Sequence, residues 1–186
     1  MKIVAVLGSP RPNGNSAALA QRFLDTARQL GAETEVYELN KMNFKGCQGC
    51  GLCKTKQDCC AVEDDLTPVY ESINTADALV LASPVYFGDL SGQLKCFFDR
   101  TYAFANPDFT SRLAPGKKSV FILTQGAPAE EMFNDIHPRY ERWLKMFEVE
   151  PNYLIRALGV QGPGEVKEQA TVLQQAEDVA RKVMAT

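Results

Sequence analysis

Short apolar runs recur along the chain, and a polar, turn-forming loop follows each of them at once. The first run spans 3–7, the second 78–82 and the third 119–123, where only Ser119 is polar. Strands that are apolar on both faces are typical of the interior of a parallel sheet, because helices cover both of its sides. The runs therefore predict three central strands.

The remaining segments predict two edge strands and five helices. Charged residues interrupt the apolar positions at 34–39 and 153–158, as expected at the edges of a sheet. Apolar residues at helical spacing predict helices at about 16–30, 64–74, 91–104, 138–148 and 165–184. This alternation predicts an α/β fold, a doubly wound parallel sheet of five strands in the order 2-1-3-4-5 with helices on both faces. Ligands bind such sheets beside the first and third strands, where the strand order reverses.

The loop after the first strand has the composition of an anion site. Its hydroxyl and amide side chains can donate hydrogen bonds, and one arginine adds positive charge; these residues are Ser9, Arg11, Asn13, Asn15 and Ser16. The first turn of the following helix exposes N–H groups and the positive end of the helix dipole. Strand, loop and helix together predict a phosphate site.

Two further loops leave central strands at the same edge of the predicted sheet. The loop 83–88 places Tyr86 and Phe87 beside Gly88, which offers aromatic surface and free backbone groups. The loop 124–126 supplies a third wall. A flat aromatic molecule with a phosphate tail fits these loops together.

Length and charge exclude several classes of protein. A chain of 186 residues with 45% apolar content predicts a single domain, 1–186. No apolar run reaches the roughly 18 residues of a membrane span, and no signal peptide is evident, so we expect a cytoplasmic protein without membrane contact. A net charge of −3 without a basic cluster argues against nucleic acid as a partner.

Five of the six cysteines lie within 47–60, inside a stretch at about 40–64 that has no strand or helix period. Close spacing lets three thiolates face one centre from a tight loop, and the intervening glycines allow the backbone to wrap it. Zinc is less favoured, because zinc ligands usually form two separated pairs. The candidate ligands are Cys47, Cys50, Cys53 and Cys59, with Cys60 as an alternative to Cys59.

Three segments carry a resemblance to a known family. The segments 8–16, 83–88 and 95–100 resemble the phosphate loop, the flavin-ring loop and the following helix of the flavodoxin-like NAD(P)H-dependent FMN reductases. Within that family the cysteine spacing is similar to the [4Fe–4S] motif of the iron–sulfur flavoproteins. The resemblance covers 1–125. Pro12 departs from it, because the family often has lysine or another polar residue there.

The resemblance implies an FMN-dependent oxidoreductase with NAD(P)H as electron source and a [4Fe–4S] cluster as relay. It implies that Ser9, Arg11, Asn13, Asn15 and Ser16 hold the FMN phosphate, and that Pro84, Val85, Tyr86, Phe87 and Gly88 border the isoalloxazine. Thr124 and Gly126 would reach the ring edge or ribityl chain. It also implies a homodimer or homotetramer. No catalytic side chain is expected, since hydride transfer belongs to the flavin.

Other interpretations remain open. The chain could be a non-enzymatic electron carrier reduced by a ferredoxin-type protein, or an interaction module that senses redox state through its flavin. The cysteine stretch could lack a cluster and only shape the flavin pocket or a subunit interface. The one histidine, His137, stands beside Pro138 at a predicted helix start, and we interpret it as solvated.

Overall fold

A parallel sheet forms the centre of the computed structural model, which describes residues 1–185. The strands are β1 (Lys2–Leu7), β2 (Glu33–Glu38), β3 (Ala78–Tyr86), β4 (Asp89–Leu90), β5 (Lys118–Thr124) and β6 (Asn152–Ala157). The five long strands are parallel in the order β2-β1-β3-β5-β6, which confirms the predicted order. The two-residue β4 was not predicted; it folds back antiparallel onto the end of β3.

Helices connect these strands. They are α1 (Asn15–Gln29), α2 (Leu52–Thr55), α3 (Thr67–Thr75), α4 (Gly92–Arg100), α5 (Ile136–Met146) and α6 (Ala170–Met184). The helix expected at 91–104 tightens into a 3₁₀ helix after Arg100, and the last α-helix begins at Ala170, after a 3₁₀ helix at 165–168. No helix within residues 1–185 is long and apolar enough to cross a membrane.

Both faces of the central strands are buried, as their apolar runs predict. On β1, Ile3 and Ala5 join the core beneath α1 and α6, whereas Val4 and Val6 join the core beneath α3, α4 and α5. Alternate side chains of a strand point to opposite faces, so each strand contributes to both cores. This two-sided packing fixes the strand ends from which the site loops leave.

His137 lies against the sheet, so its interpretation as a solvated residue is wrong. Its ring packs edge-on against Phe121 of β5, with 5.6 Å between the ring centroids. Its Nε2 atom is buried without a hydrogen-bond partner. Burial lowers the pKa of His137 below its usual value. His137 lies in the first turn of α5, which begins at Ile136, and this turn directs its ring towards the sheet.

Candidate flavin site and cysteine-rich segment

The carboxyl ends of β1, β3 and β5 meet at one edge of the sheet, and their loops enclose a cavity of about 190 Å³. The lining residues are Ser9, Arg11, Gly14, Asn15, Ser16, Pro84, Val85, Tyr86, Thr124, Gly126, Val160 and Gln161. Nine of them were candidates for cofactor binding from the sequence. The fold thus brings three loops that are far apart along the chain to one pocket, beside the reversal of strand order.

Three other candidate residues lie outside the cavity lining. Asn13 is exposed and lines a separate groove beside α1. Phe87 is fully exposed at the tip of the β3–β4 hairpin, with a positive φ of 49°, and Gly88 follows with a φ of 85°. Successive positive φ values are typical of tight hairpin turns. These residues therefore form the rim beside the pocket.

The amino end of α1 is open towards the pocket. Gly14 occupies the N-cap position without a side-chain hydrogen bond, and the first turn contains no acidic residue. A Cβ atom on Gly14 would lie 2.5 Å from Ser9 Oγ, so a larger residue here would force the Ser9 hydroxyl to move. The Ser9 hydroxyl in turn accepts a hydrogen bond from Arg11 N over 3.2 Å. The N–H groups and positive dipole end of α1 are therefore placed to bind an anion.

The turn after β6 forms a wall that sequence reasoning missed. Arg11 Nη1 donates to the Gln161 carbonyl over 2.6 Å, and Asn15 Nδ2 donates to the Gly162 carbonyl over 2.9 Å. Asn15 Oδ1 accepts from Val166 N over 3.2 Å, so both polar atoms of this side chain hold the turn. The available signal was the glycine-rich turn after the last strand, which must leave the sheet at the same edge as the other loops.

Buried serines tie the loop 83–88 to the loop 8–16. Ser91 Oγ donates to the Gly8 carbonyl over 2.6 Å, while Ser91 N donates to Ser83 Oγ over 2.9 Å. On the other side of the hairpin, Tyr140 Oη donates to Asp89 over 2.7 Å. Burial opposes ionisation of Asp89, but the hydrogen bonds from Tyr140 and from the backbone outweigh it and lower the pKa of this carboxyl. Both loops are therefore held in place by the protein itself.

The thiols of the cysteine-rich segment, residues 46–63, do not surround a common centre. All are free: Cys47, Cys50 and Cys59 are exposed, and Cys53 and Cys60 are partly buried. Within residues 1–185, no three cysteine, histidine, aspartate or glutamate side chains are arranged to hold a metal ion. A donor set made only of thiols suits an iron–sulfur cluster chemically. Binding one would require the segment to close around it.

Basic side chains fasten this segment to the rest of the fold. Lys54 Nζ donates to the Tyr102 carbonyl over 2.6 Å and lies 3.9 Å from the centre of that ring. Arg112 Nη2 donates to the Cys53 carbonyl over 2.8 Å. Buried Arg100 pairs with Asp64, and this hydrogen bond with others from the backbone lowers the pKa of Asp64 although burial opposes it. The segment is thus anchored while its thiols stay separate.

Comparisons with known proteins agree with the fold. The model of the NADPH-dependent FMN reductase family matches residues 1–159, beyond the 1–125 of the resemblance seen in sequence motifs. An iron–sulfur flavoprotein of Methanocaldococcus jannaschii is 30% identical over 186 residues, covering 98% of this chain and 95% of that protein. An iron–sulfur flavoprotein of Methanosarcina thermophila is 31% identical over 137 residues, covering 74% of this chain and 71% of that protein.

A solved structure shows the same fold at lower identity. The NAD(P)H:quinone oxidoreductase from Methanothermobacter marburgensis is 22% identical with a TM-score of 0.78, covering 98% of this chain and 96% of that chain. The family match spans most of the sequence and includes the three loops that line the pocket. This chain belongs to the NADPH-dependent FMN reductase family.

Proposed function

We propose that this chain is an FMN-dependent oxidoreductase that takes electrons from NADH or NADPH. The observation that carries the proposal is the pocket in which the open amino end of α1, Arg11 and Ser16 lie opposite Pro84 and Tyr86. One end offers positive charge and N–H donors to a phosphate, and the other offers apolar and aromatic surface to a ring. Family membership supports the same cofactor.

Each group of residues has a separate task in this proposal. Ser9, Arg11 and Ser16 bind the phosphate, with Asn15 holding the Gln161 turn over it. The backbone of 84–86 borders the ring, and Thr124 and Gly126 face its edge or the ribityl chain. Asn13, Phe87 and Gly88 shape the rim. Bound FMN supplies a ring that accepts a hydride from reduced nicotinamide. The task of the protein is therefore to position the two rings, and no side chain needs to exchange a proton.

The direct test is anaerobic reduction of the FMN-loaded chain, followed through the flavin absorbance. We expect NADPH or NADH to bleach one equivalent of bound FMN and to sustain turnover with ferricyanide as artificial acceptor. Slow reduction by both nucleotides with fast reduction by a low-potential ferredoxin would instead identify an electron carrier. Negligible turnover with every donor would identify a redox-sensing module and contradict the proposal.

We further propose that the cysteine-rich segment holds a [4Fe–4S] cluster that exchanges electrons with FMN. The support is the run of thiols at Cys47, Cys50 and Cys53, with Cys59 or Cys60 to complete it, and the names of the two relatives. Iron and sulfide analysis of protein isolated without oxygen should give about four irons per chain. Cys50→Ala should abolish bound iron and spare FMN, whereas the control Cys96→Ala should keep both. Wild-type chain without iron would contradict this part of the proposal.

A further inference from the structure

Gln125 stands between two residues that line the candidate flavin pocket but does not line it itself. Its neighbours Thr124 and Gly126 belong to the lining, whereas Gln125 is only 2% exposed. Its backbone N–H donates to the Ala157 carbonyl over 3.0 Å, and its own carbonyl accepts from Val160 N over 2.9 Å. The backbone of Gln125 therefore joins the ends of β5 and β6 beside the pocket.

The Gln125 side chain organises the segment that follows it, residues 127–133. Its Nε2 atom lies 3.0 Å from the Ala127 carbonyl oxygen and 3.3 Å from those of Ala129 and Met132. An amide NH₂ group carries two hydrogens, so it can donate to two of these acceptors at once. Residues 127–133 form no helix or strand. Hydrogen bonds from this one buried side chain therefore help to hold the shape of the segment.

Arg156 of β6 completes this arrangement from the neighbouring strand. Its Nε and Nη2 atoms donate to Gln125 Oε1 over 3.1 and 2.7 Å. Nη1 donates to the Glu130 carbonyl over 2.9 Å, and Nη2 also donates to the Met132 carbonyl. Because Arg156 takes the oxygen of the Gln125 amide, the nitrogen of that amide must face the segment. The charged residue that interrupts the apolar run of β6 thus fixes the orientation of a buried amide.

The segment 127–133 meets the β3–β4 hairpin beyond the pocket. A Cβ atom on Gly88 would lie 3.6 Å from Phe133 Cε1, so the Phe133 ring lies beside the hairpin turn. At the other end, Pro84 of β3 and Thr124 of β5 are register partners. The two chain segments thus come together at both ends and form a closed frame, and both contribute residues to the pocket lining. The frame consists of residues 84–88 and 124–133.

The backbone at Phe133 shows that this closure is imposed by its surroundings. Phe133 has a positive φ of 64°, a conformation that a residue with a Cβ atom keeps only where its neighbours enforce it. The carbonyl of Met132, directly before it, lies within reach of Gln125 Nε2 and accepts from Arg156. The two side chains therefore hold the turn that directs Phe133 to the hairpin.

We infer that Gln125 and Arg156 are positioning residues that set the width of the frame and so the gap that receives the flavin ring. The inference rests on the FMN binding proposed above. Neither side chain lines the pocket, so both act through the backbone that they hold. Walls that are ordered before the ligand arrives lower the entropic cost of binding. Because Arg11 and Asn15 hold the phosphate end separately, this pair should affect ring binding alone.

Gln125→Met tests the inference, because methionine has a similar length but none of the polar contacts of the amide. The chain is freed of flavin and titrated with FMN and with riboflavin. We expect both ligands to bind about tenfold more weakly, with the ratio of their Kd values as in wild type. The control Gln174→Met, at an exposed glutamine of α6, should leave both affinities unchanged.

Each alternative result has a definite meaning. Loss of FMN affinity with riboflavin affinity retained would overturn the inference, because the pair would then act on the phosphate end. Unchanged affinity for both ligands would overturn it as well. Wild-type chain that binds no FMN would instead overturn the proposed function, so the two failures are distinguishable.

Arg156→Met and Arg156→Lys provide a second test that does not depend on a buried substitution, since Arg156 is only partly buried. Arg156→Met should reproduce the joint loss for FMN and riboflavin. Arg156→Lys keeps a positive donor that can reach one of the acceptors, and it should restore part of both affinities. A general loss of stability would not produce this graded effect on folded protein. Wild-type affinities in Arg156→Met would overturn the role of Arg156.

Discussion

The candidate flavin pocket and the cysteine-rich segment are held in opposite ways. In the pocket the sheet itself sets the geometry, because the loops leave neighbouring strand ends and are joined by short bonds such as Ser91 to Gly8. The segment contains no strand. Basic side chains from elsewhere in the chain, such as Arg100 and Arg112, donate hydrogen bonds to its backbone carbonyls. One site is built by topology and the other by a few long side chains.

This difference predicts that a substitution can disrupt the structure of one site without disrupting the other. When one side chain donates hydrogen bonds to several carbonyls, its removal leaves all of these polar groups unpaired and lowers the stability of the segment. A pocket made from strand ends is instead sensitive to small steric changes where its loops touch. Variants directed at one site should therefore leave the other largely intact.

The largest effect is expected from Arg100→Met. The substitution leaves Asp64 without its partner and removes the donors of the Lys45 and Val62 carbonyls. Breaking a buried ion pair from one side costs about 3–5 kcal/mol, which urea denaturation would show as a lower free energy of unfolding. Protein that remains folded should still bind FMN with an affinity close to that of the wild type.

Arg142→Met provides the control for this test. Arg142 is exposed on α5, with its guanidinium 4.8 Å from the centre of the Trp143 ring. Its substitution should change the free energy of unfolding by less than about 1 kcal/mol. Equal losses in the two variants would show that Arg100 does not hold the segment.

A smaller effect is expected at the flavin pocket from Gly14→Ala. The new Cβ would lie 2.5 Å from Ser9 Oγ and 3.2 Å from the Arg11 carbonyl oxygen, so the Ser9 side chain must move from its place in the phosphate loop. We expect FMN to bind about ten- to a hundredfold more weakly, which corresponds to about 1.4–2.8 kcal/mol, with iron content unchanged. Gly92→Ala is the matched control, because a Cβ there meets no atom within 4 Å. An unaltered FMN affinity in Gly14→Ala would mean that the phosphate does not rest on this loop.

The smallest effect is the dependence of stability on pH. Neither site contains a histidine, so this dependence should leave ligand binding unchanged. Burial lowers the pKa of His137, the only histidine in the chain. The unfolded state therefore binds a proton at a higher pH than the folded state does. The free energy of unfolding should therefore fall as pH drops below about 6.5, by at most about 1.4 kcal/mol per pH unit. His137→Gln should flatten this dependence between pH 7 and 5.5 without altering FMN affinity. A persisting slope would place the titrating group elsewhere.

The sequence predicted the parts of the molecule that depend on local pattern. The runs at 3–7 and 78–82 gave central strands because burial on both faces leaves no polar positions. Strand order then placed the loops 9–16 and 83–88 together, since parallel strands that end at one edge bring their loops to one crevice.

What the sequence did not predict depends on contacts between distant segments. The Gln161 wall exists because Arg11 and Asn15 bond to the turn after β6, about 150 residues further along the chain. From the sequence, Arg100 was recognisable only as part of a family motif, because nothing near it in the sequence shows which carbonyls its side chain contacts. His137 was misplaced since the inward face of α5 is set by its docking on Phe121. The periodicity of apolar residues indicates the buried faces and the ends of helices and strands. The partners of a side chain that lie far away in the sequence become known only from the folded structure.

Comparison of two ligands that differ only in the phosphate shows whether the strand-end pocket holds the phosphate of FMN. Titration of wild type and of the double variant Arg11→Ala, Ser16→Ala with FMN and with riboflavin separates phosphate binding from ring binding. We expect the double variant to lose FMN affinity at least tenfold, about 1.4 kcal/mol, while riboflavin affinity stays nearly unchanged. Equal losses for both ligands would contradict this expectation and place the phosphate elsewhere.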